Sequence, residues 1–270
     1  MIAARPLAIA DIFDHAVTLA VRRWRTAVAI TLLASPPLTL YTAFDTNDRP
    51  GSPQADALGT GFFLLGIVTL IFAVAALTRL FASGDQATTA LALYRAVLRS
   101  FWRLLSVALI TGVLTVVVFG VAVFAFLMLP RTNPFLTLAL MFVIVAACVP
   151  ILFVLELAFT DAVLEGTRAI ASVAGAFRRA LSRDQRVRTV KLAYAAALCY
   201  FGPKLTIVFA AAWLAVLTGQ PWIAAAAVPL QTAADLVLFV AVMTVAATDY
   251  RVRKHGIDLD AALDARVAPA

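Results

Sequence analysis

Polar residues cluster along this chain, and between the clusters lie stretches with almost none. An uninterrupted apolar stretch of about 18 residues or more is long enough to cross a bilayer as a helix. By that measure the pattern predicts six spans, at about 27–44, 59–77, 104–129, 134–157, 191–217 and 222–247. The segments preceding the odd-numbered spans show a different pattern, with apolar residues recurring at helical spacing. In 5–25 the apolar positions are Ile9, Ile12, Phe13, Ala16 and Ala20, with Asp11, Asp14, Thr18 and Arg22 largely opposite and Pro6 in the first turn. In 87–103 they are Leu91, Tyr94, Leu98 and Phe101, with Arg95, Arg99 and Arg103 stepping by four beside them. In 163–185 they are Ile170, Val173, Ala174, Phe177 and Leu181, with Arg178, Arg179 and Arg183 alongside. Each fits an amphipathic helix lying in the membrane interface. The predicted fold is therefore all-α: one transmembrane domain over 1–270, built as three units of interfacial helix plus transmembrane hairpin. Trp24-Arg25 and Trp102-Arg103 occupy matching places, where an indole anchors at headgroup level.

Composition agrees with this reading. The chain is 63% hydrophobic and 14% charged, against roughly 45–50% and about 25% for soluble domains. The charge then orients the spans. Nineteen of the 22 lysines and arginines fall on one side of the predicted topology, and Arg49 and Arg131 on the other. Basic residues stay in the cytoplasm, so both termini are expected there. The net charge of +7 thus reflects topology, and no nucleic-acid partner is expected. No cleavable leader is expected, because the first apolar run follows about two dozen residues rich in charge and lacks a small-x-small site.

Few residues carry candidate chemistry. Lys204 lies inside the fifth span, after Gly202-Pro203. Counted from the turn near Gly219-Gln220, Lys204 and Asp235 lie equally deep in an antiparallel hairpin, about 23 Å in at 1.5 Å per residue. A charge alone at the bilayer centre is costly, at least about 2.5–3.5 kcal/mol. Lys204 is therefore expected to face Asp235, with Gln231 one turn away on the same face. Gly202-Pro203 is expected to break the fifth helix and Pro229 to loosen the sixth. Two uses are open: a polar site in the bundle, or a structural clamp, with snorkelling of Lys204 as a variant of the second. Glu156, near the inner end of the fourth span, either joins a cytoplasmic mouth or pairs with a nearby arginine or helix-end amide.

Arg95, Arg99, Arg103, Arg178, Arg179 and Arg183 are candidate contacts for anionic lipid headgroups, each worth roughly 1 kcal/mol near a cytoplasmic leaflet. No catalytic constellation, cofactor loop or metal-ligand spacing is found: His15 and His255 are isolated, and Cys148 and Cys199 sit in apolar runs. The expected role is an integral membrane scaffold or accessory protein that interacts with lipid or a membrane protein partner. The alternative is a small ion-coupled transporter using Lys204 and Asp235.

Three stretches carry a family resemblance. They are Arg5-Pro-Leu-Ala-Ile-Ala-Asp-Ile-Phe-Asp14, Val163-Leu-Glu-Gly166 with Ala176-Phe-Arg-Arg-Ala-Leu-Ser182, and Asp249-Tyr-Arg-Val-Arg-Lys-His-Gly-Ile-Asp-Leu259. The sequence resembles a group of bacterial integral membrane proteins of unknown function, related to the membrane domain of some glycerophosphoryl diester phosphodiesterases. His255 stands where that group usually has an acidic residue, and the central stretch lacks its usual serine and glycine. The resemblance implies a six-helix bundle in a bacterial inner membrane and no known reaction.

Overall fold

A computed structural model describes residues 7–47, 53–83, 89–128, 134–220 and 222–267. Arg5, Pro6, Arg49, Leu129 and Arg131 lie outside the described residues, as do 87–88 at the start of the second expected interfacial helix. So do the side chains of 44–47, 53–56, 134, 138, 224 and 254–267, His255 and Arg266 among them.

Ten helices and no strand are found among the described residues: α1 Ile9–Arg22, α2 Trp24–Ala34, α3 Pro36–Asn47, α4 Pro53–Ala82, α5 Ala90–Leu98, α6 Phe101–Leu127, α7 Pro134–Glu165, α8 Ala169–Ala180, α9 Arg186–Thr218 and α10 Trp222–Val267. Five are long and apolar enough to cross a membrane, and the count is six if α2 and α3 form one bent span. This is the architecture of a multi-pass membrane protein. The short helices end sooner than the sequence pattern suggests. Residues 101–103 belong to α6 and residues 163–165 to α7, because apolar side chains carry those helices past the expected boundaries.

With α2 and α3 taken together, a short helix followed by two long segments recurs three times, and the joints are alike. Arg23, Ser100 and Gln185, each just before the first long helix of its unit, have φ of −109°, −106° and −107°. At Ser35 and Pro36 the axis of α3 is bent by 47° from that of α2. Pro36 has no N–H to give the carbonyl four residues back, and Ser35 Oγ donates to that Leu32 carbonyl at 3.1 Å. Thr69 Oγ1 on α4 donates to Ala34 O at the same bend, at 3.0 Å. Here α4 passes so close that a Cβ on Gly66 would lie 2.5 Å from Leu38 Cδ2. Tyr94 on α5 ties in from the side, donating to Ile30 O at 2.9 Å. Burial pushes its phenol up to about 12, so it remains a donor at neutral pH.

The core gathers at the arginine-rich end of the bundle, around α10. Ile12, Ile30, Leu77, Leu80, Leu104, Leu157, Leu192 and Met243 are fully buried there. Two buried carboxylates fix the helix ends around this core. Asp249 on α10 accepts from Leu7 N at 2.7 Å, Arg188 at 2.7 Å and Arg253 at 2.9 Å. Both arginines also donate to Leu7 O, at 2.7 Å. Asp161 on α7 pairs with Arg179 of α8 and, at 3.3 Å, with Arg251 of α10. Arg251 also reaches Glu165, at 3.0 Å. Thr189 and Tyr250 share a hydroxyl hydrogen bond of 2.6 Å between the two clusters' helices.

Removing one partner of a buried, hydrogen-bonded ion pair costs about 3–5 kcal/mol. Asp249→Ala strands Arg188, Arg253 and the Leu7 amide together. Its unfolding midpoint in detergent is expected to fall well below that of the exposed-site control Arg178→Ala. Equal midpoints for the two variants would contradict the assignment.

Candidate intramembrane polar cavity

The α9–α10 hairpin sets Lys204 beside Asp235. Its turn follows from Gly219, whose φ of +66° suits glycine and closes α9 through a bond from its N–H to Ala215 O. The two residues are level in Cα depth, as the count from the turn implies. No ion pair joins them, however, among the described residues. Helical side chains lean toward the N-terminus of their own helix. In antiparallel α9 and α10 that sends the two groups apart. Lys204 leans toward the arginine-rich end, and its Nζ sits 5.3 Å over the ring of Tyr200, one turn back. Asp235 leans the other way and takes a side-chain hydrogen bond from Gln231, while the Lys204 ammonium acts on it only through space. Asp235 is buried, and its Oδ1 has no hydrogen-bond partner. A direct Lys204–Asp235 clamp is therefore not what the helices form.

A second carboxylate lines the same cavity as Lys204. Glu156 and Lys204 line one cavity of about 420 Å³. Its walls are otherwise mostly apolar, with Phe119, Phe153, Phe201 and Phe239 prominent and Tyr200 and Thr115 as polar members. Glu156 lies between buried Leu155 and Leu157 yet is itself exposed. Glu156 on α7 and Lys204 on α9 face this one space from different helices, while the Lys204 ammonium acts through space on Asp235. Glu156 thus opens into the cavity and makes no ion pair among the described residues.

The prolines act differently from expectation. Helices α7, α9 and α10 run unbroken through Pro150, Pro203 and Pro229. The carbonyl that Pro150 frees, Ala146 O, is taken by the Tyr194 hydroxyl at 3.0 Å, which ties α7 to α9 near the cavity.

Of the six arginines considered for lipid contact, Arg95, Arg99, Arg178 and Arg183 are exposed. The other two serve the bundle: Arg103 donates to Gly166 O at 3.3 Å, and Arg179 is held by Asp161. Exposed Leu91, Leu98, Trp102, Ile170 and Leu181 accompany the free four. Asp161 and Asp249 were not singled out from the sequence as site residues. The signal was present in Asp249-Tyr-Arg-Val-Arg253, where an i,i+4 pair puts Arg253 on the aspartate's face and Arg251 on another. No group of three metal-ligating side chains occurs among the described residues. Compared with protein-family models, with curated proteins and with solved structures, the chain matches none.

Residues in contact couple by about 0.5–3 kcal/mol in double-mutant cycles. With no direct pair, Lys204→Met and Asp235→Asn are expected to be nearly additive in unfolding free energy, with coupling below about 0.5 kcal/mol. A double variant that recovers the stability lost in the singles would restore the clamp.

Proposed function

We propose that this chain is a bacterial inner-membrane protein of six spans that performs no reaction and accommodates a membrane amphiphile in the cavity between its second and third hairpins. Both termini lie in the cytoplasm, and α1, α5 and α8 lie at the cytoplasmic interface. There Arg95, Arg99, Arg178 and Arg183 meet anionic headgroups while Leu91, Leu98, Ile170 and Leu181 enter the acyl boundary. The arginine-rich end and the exposed indoles of Trp24 and Trp102 support this placement. The terminal motif supports kinship with the membrane-domain group that the sequence resembles.

One observation carries the amphiphile reading. The cavity has aromatic and aliphatic walls, one cation and one carboxylate, and residues on its rim that face outward from the protein: Phe119 on α6 and Phe201 on α9 are 52% and 49% exposed. Between spans, outward means lipid. An apolar pocket with a few convergent polar groups is the usual form of a small-molecule site. A second reading, an ion-coupled carrier, draws on the buried and unpartnered Oδ1 of Asp235 beside Lys204. Uptake of a labelled solute driven by a proton or sodium gradient, and lost in Asp235→Asn, would favour it.

Mass spectrometry of protein extracted in native lipid nanodiscs tests the first reading. Wild type is expected to retain lipid through a detergent wash. Ala197→Phe, which fills the cavity, is expected to lose it with an unchanged unfolding midpoint; equal retention by both would reject the site. Orientation is checked separately in a chain lacking Cys148 and Cys199. Cysteines placed at 49 and 131 should react with an impermeant maleimide on intact cells, and those at 95 and 183 only after permeabilisation. The reverse pattern would invert the topology.

A further inference from the structure

We propose that the cavity is a route by which zwitterionic phospholipid headgroups, of the phosphoethanolamine kind, pass from one leaflet to the other. The inference rests on the amphiphile reading and adds a movement to it. Its starting point is the depth of the charges. Lys204 lies thirteen residues after Lys191 and fourteen before Thr218 at the end of α9, about 20 Å from either. That is the middle of the span. Glu156 lies nine residues before the end of α7 at Glu165, about 13 Å from it, in the cytoplasmic half. A lipid held for structural support keeps its head at the interface, in contact with water. A charge at mid-depth, such as Lys204, serves a head only while it is between the leaflets.

The two groups match the two ends of a zwitterion. The Lys204 ammonium has no ion-pair partner among the described residues, and it is half-buried on the cavity wall. It is therefore free to take a phosphate. Glu156 faces the same space from the opposite helix and is free to take the head's ammonium. A purely anionic head would meet a carboxylate along the same wall.

The lateral opening allows the tails to stay in lipid while the head moves. Phe119 and Phe201 form the two rims, and the glycine after each, Gly120 and Gly202, has no atom within 4 Å of where a Cβ would stand. A second groove of about 390 Å³ lies on another face of α6, lined only by aliphatic residues and Gly112 against Ile67 and Ile71 of α4. Helix α6 is thus free of close packing on two sides beyond its buried Leu104 and Val107. No step in this passage makes or breaks a covalent bond, and none needs an energy source.

The test uses the full chain in vesicles of phosphatidylethanolamine and phosphatidylglycerol carrying a trace of tail-labelled fluorescent phosphatidylethanolamine. Added dithionite bleaches only outer-leaflet label, so protein-free vesicles stop near half bleaching. Wild type is expected to carry bleaching well past half. Lys204→Met is expected to slow the second phase at least tenfold, and Lys204→Arg to keep it within about threefold. Glu156→Gln is expected to slow labelled phosphatidylethanolamine but not labelled phosphatidylglycerol. Each variant is first matched to wild type in its unfolding midpoint. Wild-type vesicles that stop at half bleaching, while the purified protein still retains lipid, overturn the passage and leave the binding site standing. Loss of both retention and passage overturns the reading beneath it. A rate equal in wild type and Lys204→Met also overturns the proposal.

Discussion

Two buried carboxylates at one end of the bundle hold this fold. Between helices in a bilayer there is little hydrophobic drive to associate, since lipid tails are as apolar as leucine. Asp249 and Asp161 supply what burial alone does not. Asp249 gathers the chain near Leu7, the start of α9 and the end of α10; Asp161 gathers the ends of α7 and α8 onto α10. Both are satisfied by arginines that keep part of their surface exposed, 15–24% by side chain. The guanidinium groups therefore retain some solvation while the carboxylates lose theirs. An ion-pair cluster at the membrane boundary suits that compromise better than one in the hydrocarbon.

The consequence is an uneven bundle. In α10, 61% of the most apolar window is buried, against 11% in α6 and 6% in α9. Helix α6 packs on α7 and α9 packs on α10, but α6 and α9 hardly touch, and the cavity lies between them. Tyr194 ties α9 to α7 beside the cavity, using a carbonyl that Pro150 released.

The sequence showed much of the architecture and less of the site. Long apolar runs and short amphipathic segments locate the helices, but not their bounds: α10 runs on from the expected end at 247 to Val267, and the first run is two helices. Helices do not stop where hydropathy does, however, so α7 reaches Glu165 and α9 begins at Arg186. Lys204 was legible as an oddity. Its partner was misjudged, because counting from a turn gives the depth of Cα atoms and ignores the opposite lean of side chains on antiparallel helices. That Glu156 and Lys204 line one cavity depends on how α7 crosses α9, which no local pattern encodes. Pro203 was expected to break its helix, yet α9 runs unbroken through it, as α7 and α10 do through Pro150 and Pro229, whereas the chain bends at Ser35 and Pro36. Asp249 carried a local signal in its i,i+4 arginine, Asp161 carried none, and only tertiary contact shows both buried.

The central claim is that α6 and α9 stand apart in a membrane and admit lipid as far as Lys204. A cryo-electron microscopy map of the full chain in nanodiscs of phosphatidylethanolamine and phosphatidylglycerol tests it most directly. The account predicts elongated density entering between Phe119 and Phe201 and ending near the Lys204 ammonium. A map in which α6 packs against α9, with the Lys204 and Glu156 side chains enclosed and no lipid between the helices, would contradict it.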